Sequence, residues 1–109
     1  MLLNAFSLNM LDISGPVRVV VSQASIEDAR REVIDAGSGV GHPQTAAILT
    51  AVLGTEVAPN RVSLDPAPRG RHIVAQYRGP RLPEGATELP EEARFDFLRV
   101  EFWPDALGD

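Results

Sequence analysis

The chain has 109 residues, 44% of them hydrophobic, with a formal net charge of −5. That is enough for one small domain with a single core and too little for two. There is no cysteine, which excludes disulfides, thiolate catalysis and cysteine-based zinc sites, and no apolar run approaches the roughly 20 residues that span a bilayer.

The first residues, Met1 to Phe6, lack a basic segment ahead of a long apolar one. No signal peptide is therefore expected, and a cytoplasmic location is, the host cytoplasm if a virus encodes the chain. Leu2–Phe6 reads as a first strand, followed by a turn or a single helical turn over Ser7–Leu11. Ser14-Gly15-Pro16 breaks the chain, and the β-branched run Val17–Val21 reads as a second strand. Ser25 then stands as an N-cap before the acids Glu27 and Asp28. The helix it starts runs to about Ala36, with Ile26, Ala29, Val33 and Ile34 at amphipathic spacing, and ends at Gly37.

Next comes the glycine-rich loop Gly37-Ser38-Gly39-Val40-Gly41, then His42, then a helix over 43–53 closed by Gly54. Proline at the first helical position and glycine just past the last mark the two ends of that helix. A helix start offers unpaired backbone N–H groups and partial positive charge, which suit a phosphate. His42 puts a group that exchanges protons near neutral pH at that place. Taken alone, it reads first as a capping or surface histidine, and its position at the helix start is what adds the functional reading.

Arg61–Leu64 is a further strand candidate, Asp65–Gly70 a turn, and Arg71–Tyr77 the next strand, adjacent to the one before it. Gly79–Gly85 reads as a rigid loop that carries Arg81 and Glu84, and Pro90–Ala93 as a short helix. Phe95–Trp103 alternates and reads as a last strand with its more apolar face inward, stopped by Pro104. The expected fold class is α/β, with α+β as the alternative. It is a single domain over 1–109, with a mixed central sheet of about five strands and helices packed on it.

All ten basic residues are arginine. Arg61, Arg69, Arg71, Arg78 and Arg81 fall within a stretch where Asp65 is the only acid, and acids dominate from Glu84 onward. A local arginine cluster on an acidic chain suits a compact anionic ligand better than a long nucleic acid, because the guanidinium fork pairs with phosphate at two points. The same pattern also reads as a solvated arginine-rich face. Arg81 could neutralise a non-bridging phosphate oxygen, and Glu84 could accept a 2′-hydroxyl proton or hold Arg81 in place. Two histidines 30 positions apart and no acid cluster at ligand spacing give a metal little support. No metal and no cofactor is expected.

Several motifs recur in order in a known family. They are Leu3-Asn4-Ala5-Phe6-Ser7-Leu8-Asn9-Met10-Leu11, Gly41-His42 followed by Thr45, Leu53-Gly54, Asn60-Arg61-Val62 and Arg81-Leu82-Pro83-Glu84-Gly85. With them the chain resembles the viral type III anti-CRISPR ring nucleases from position 2 to about 102. The resemblance implies a small α/β homodimer that encloses cyclic tetra-adenylate between its subunits. It implies metal-free cleavage to linear products with 2′,3′-cyclic phosphate ends, which silences the ancillary effectors of type III CRISPR immunity. Carried over position by position, His42 matches the family's general acid, and Arg81 and Glu84 its paired arginine and glutamate. Gly41, Thr45 and Arg61 fall in its ligand-binding motifs, and Asn4, Ser7 and Asn9 in a segment that reaches adenine or ribose, a segment that reads as readily as a strand-end turn. Gly39 and Pro43 depart from the family pattern. Two other readings stand beside this one. The chain could sequester a cyclic oligonucleotide without cutting it, or it could be a structural domain whose helix 43–53 packs on another protein.

Overall fold

The computed structural model describes residues 1–105. Its elements run β1 (Leu2–Leu3), a single 3-10 turn (Leu8–Met10), β2 (Val17–Ala24), α1 (Ile26–Ala36), α2 (Pro43–Leu53), β3 (Gly70–Arg78) and β4 (Arg94–Pro104). The strands form one mixed sheet in the order β1-β3-β4-β2. β1 is parallel to β3, and β4 is antiparallel to both β3 and β2.

Both helices form where their local signals place them. Ser25 caps α1 with a reciprocal box: its hydroxyl accepts from the Asp28 N–H at 3.0 Å, and the Asp28 carboxylate accepts from the Ser25 N–H at 3.0 Å. Those bonds, the backbone one first, hold the Asp28 carboxyl below its usual value of 3.8. α2 begins with Pro43 and ends at Gly54, whose φ of 68° lies in the left-handed region that glycine enters without strain. Arg30, reaching from α1, donates to the Leu53 carbonyl at 2.6 Å and covers an end of α2 that would otherwise face no donor.

Each face of the sheet has its own cover. The helices bury Leu2, Ile73, Ala75 and Phe97 together with Ala29, Ala46, Leu49 and Leu53. On the opposite face Leu3, Val74 and Val100 lie under Met1, Phe6, Met10 and Leu64. β4 therefore does not turn one apolar face inward, as its alternation suggested. Phe97 packs on the helix side, and Val100 and Phe102 are buried on the other. The N-terminal segment hides the second face, and it does so through contacts remote in sequence. The large apolar side chains of α2 (Ile48, Leu49 and Leu53) are fully buried within the chain, so this helix has no broad apolar face for another protein.

Four strands stand where about five were expected. Arg61–Leu64 is not a strand, and β3 pairs with β1 and β4 instead of with it. The segment is tied to the α1–α2 loop: the Asn60 N–H donates to the Val40 carbonyl at 2.8 Å, and its Nδ2 to the Ser38 carbonyl at 2.7 Å. Prolines at 59, 66 and 68 flank the segment and remove the donors by which a ladder would extend beyond it. β1 is shorter than Leu2–Phe6, and Pro90–Ala93 is a turn closed by Ala93 N–H to Pro90 carbonyl at 3.0 Å, not a helix. No helix among the described residues is long and apolar enough to cross a membrane.

Candidate functional site

The loop before α2 is strapped on two sides. β1 holds it through Leu2 N–H to Gly37 carbonyl at 3.0 Å and Gly39 N–H to Leu2 carbonyl at 2.8 Å. Asn60 holds it from the other side, and Ser38, itself buried, accepts the Val40 N–H at 3.0 Å. Gly39 packs closely here: a Cβ would stand 2.7 Å from Leu3 Cδ2 and 2.9 Å from Met1 Sδ, so a larger residue would require those side chains to shift. The straps bring His42 to the N-cap of α2 in extended conformation.

The His42 imidazole makes no capping hydrogen bond. It is exposed and lines a cavity of about 800 Å³ with Thr45, Arg81 and Glu84. The cavity lies where the α1–α2 connection meets the β3–β4 connection, two segments far apart in sequence. Among the described residues Arg81 and Glu84 form no ion pair with each other or with a neighbour. The surface ion pair that would have explained them without function is therefore absent. The first-turn N–H groups of Gln44 and Thr45 have no intrahelical acceptor, and Pro43 has no N–H to offer.

The remaining sequence-derived residues are spread more widely. Gly41 lies against Arg61, where a Cβ would come 3.4 Å from the Arg61 Cα, so Arg61 stands next to the His42 segment without lining the cavity. Asn4 lines a different groove of about 350 Å³ on the sheet face away from the helices, with Phe6 and Gln76. The Ser7 hydroxyl caps the 3-10 turn by accepting the Asn9 N–H at 3.2 Å, and Asn9 is exposed. These three residues do not reach the His42 cavity within one chain.

The arginine cluster also divides. Arg78 pairs with Asp96 at 3.2 Å, and Arg94 joins the same carboxylate at 3.0 Å. The Arg94 hydrogen bond above all holds the Asp96 carboxyl below its usual value. Arg71 lies toward Asp28 and Glu32, leaving Arg81 alone of the five in the cavity wall.

Two residues that the sequence did not mark complete the wall, Gln44 and Tyr77. Gln44 Nε2 donates to the Pro83 carbonyl at 2.5 Å, and the Tyr77 hydroxyl to the Pro80 carbonyl at 2.5 Å. Both partners are backbone oxygens, which leave no signature in residue types. No group of three or more His, Asp or Glu side chains among the described residues could hold a metal ion.

A family model described as STIV B116-like matches residues 1–97. Among solved structures, B116 of Sulfolobus turreted icosahedral virus superposes with a TM-score of 0.66 at 22% identity. That match covers 94% of this chain and 96% of the viral one, and at that identity it is a likeness of fold. No curated protein matches the sequence.

Proposed function

The chain belongs to the STIV B116-like family, a family named for a viral protein, and we propose that it acts as a metal-independent ring nuclease. In this reading it binds cyclic tetra-adenylate and opens it to linear oligoadenylates with 2′,3′-cyclic phosphate ends, switching off ancillary effectors of type III CRISPR immunity in the host cytoplasm. One observation carries the reading: a histidine whose side chain makes no capping bond, and an arginine and a glutamate with no ion pair among the described residues, line a single cavity at a helix N-terminus. The resemblance read in the sequence supplies the substrate class.

The chemistry follows from these groups. A ribose 2′-oxygen attacks the adjacent phosphorus, so a P–O2′ bond forms while P–O5′ breaks. Glu84 takes the 2′-hydroxyl proton, and protonated His42 gives its proton to the departing O5′. Arg81 and the first-turn N–H groups of α2 offset charge that grows on the non-bridging oxygens. Arg61 is a second phosphate contact beside the cavity. Asn4, Ser7 and Asn9 reach the bases or riboses of the ring from the sheet side. A ring of four equivalent nucleotides matches two copies of this site, so the working unit is a homodimer. The edge strand β2, with Val19, Val20 and Val21 exposed, offers a second copy a row of unpaired backbone groups.

The test is incubation with cyclic tetra- and hexa-adenylate in EDTA, with products identified by mass spectrometry. Linear products with cyclic phosphate ends are expected. Cleavage that needs added metal ion would overturn the mechanism. Tight binding with the ring left intact over hours would make the chain a sequestering protein, and no binding in calorimetry would leave a structural domain. His42→Ala is expected to slow cleavage by about 10²–10⁴-fold while affinity stays nearly unchanged.

A further inference from the structure

The loop that carries Arg81 and Glu84 is anchored at two of its carbonyls. Pro80 precedes Arg81 and accepts from the Tyr77 hydroxyl at 2.5 Å. Pro83 precedes Glu84 and accepts from Gln44 Nε2 at 2.5 Å and from the Ala86 N–H at 3.2 Å. Each anchor thus sits one residue before a charged group of the cavity. The two donors come from different elements. Tyr77 stands near the end of β3, with its ring packed edge-on against Phe95, 5.7 Å between centroids. Gln44 is the second residue of α2, two positions after His42.

The backbone of the same loop is restricted at its start. Gly79 has φ of +154°, and a Cβ there would lie 2.6 Å from the Ala93 Cβ and 3.0 Å from the Tyr77 hydroxyl. The loop therefore enters through a position only glycine fits, next to the tyrosine that anchors it. Arg81 and Glu84 are exposed and make no ion pair of their own among the described residues. Their place relative to His42 is consequently set by the backbone, and the backbone by these two side chains.

From this arrangement we propose that Gln44 and Tyr77 are positioning residues, which clamp the Arg81–Glu84 loop to the helix that carries His42 and to the sheet. The inference rests on the ring-nuclease reading for its catalytic consequence. Neither side chain transfers a proton in that reaction, and neither side chain neutralises a phosphate; the part Gln44 plays at the phosphate is that of its backbone N–H alone. Gln44 matters because it joins the two halves of the site directly: its backbone belongs to the histidine's helix, and its amide holds the glutamate's loop. Misplacement of reacting groups by about 1 Å costs on the order of 10²-fold in rate, so two neutral hydrogen bonds to backbone are enough to govern turnover without touching the ring.

Gln44→Met and Tyr77→Phe test this, since each keeps volume and removes only the donor. Three quantities are read for each purified variant: the single-turnover rate on cyclic tetra-adenylate, the affinity for it, and hydrogen exchange across residues 80–86. The expected result is a rate lower by about tenfold in each, with affinity within about threefold and the pH profile of the rate unchanged in shape. Exchange at the Ala86 amide rises by about tenfold in Gln44→Met. A rate equal to that of the wild type overturns the positioning role, as does a rate loss with exchange unaltered. A changed pH profile would instead make the residue part of the proton chemistry and also overturns it. Failure of the underlying reading looks different: the wild type itself leaves the ring intact. In that case the catalytic consequence falls with it, while faster exchange in both variants still establishes the clamp.

Discussion

At the scale of single residues, two side chains outside the cavity have consequences that can be measured. Asn60 Nδ2 holds the Ser38 carbonyl at 2.7 Å and so fixes the loop that delivers His42. Asn60→Ala is expected to cost about 0.5–1.5 kcal/mol, read as a lower urea midpoint at constant slope. His72 lies on the sheet face under Phe102, with ring centroids 6.3 Å apart and a buried Nδ1 that has no hydrogen-bond partner among the described residues. Burial pushes its imidazole below the usual 6.5, because the charged form loses hydration there. The sign follows from linkage. As pH falls through 6.5 the unfolded chain takes up the proton first, so the contribution of His72 to stability is complete above that value and declines below it. The melting temperature should therefore fall between pH 7.5 and pH 5.5, and less so in His72→Phe. Equal acid dependence in the two proteins would remove this residue from the explanation.

At the scale of elements, α1 is specified by its own first turn and the site by a connection between elements. The Ser25–Asp28 box satisfies two N–H groups that would otherwise be orphaned, so Ser25→Ala is expected to destabilise by about 1 kcal/mol in thermal or urea unfolding. Asp28 is held below 3.8, so its share of that stability is present at neutral pH and is lost as pH drops below about 4. In Asp28→Asn the acid limb of the stability curve should be correspondingly shallower. The caps of α1 and α2 were legible in the sequence because N-cap, first-turn and C-terminal signals act within one helical turn. Arg61–Leu64 differs for the opposite reason. Its alternation suits a strand paired with the one that follows it, but β1 and β4 occupy both edges of β3, and the segment is tied to the α1–α2 loop instead.

At the scale of the whole molecule, two connections far apart in sequence meet at the end of the sheet where β3 passes into β4. The β3–β4 connection meets the start of α2, and the cavity forms between them. One edge of the sheet is β2, eight residues long, whose exposed valines leave an edge that a lone protein usually blunts with charge. Sedimentation is expected to give twice the monomer mass. Val21→Lys is expected to shift the protein to monomer and to lower cleavage with it. A monomeric wild type that still opens the ring would sink the two-copy site.

The sequence by itself determined α1 and α2 with their ends, the α/β class, and the presence of three side chains suited to proton or phosphate chemistry: His42, Arg81 and Glu84. Those are properties of residue types and of contacts a few positions apart. The tertiary structure alone decided that these three share a cavity, that Arg78 is taken by Asp96 and Arg71 directed elsewhere, and that Asn4, Ser7 and Asn9 stand apart from His42 within one chain. It also brought in Gln44, whose partner is a carbonyl 39 positions away. Hydrogen bonds to backbone oxygens and strand pairing depend on where the chain returns in space. Every residue carries the same carbonyl, so nothing in a residue's type announces which one will be used.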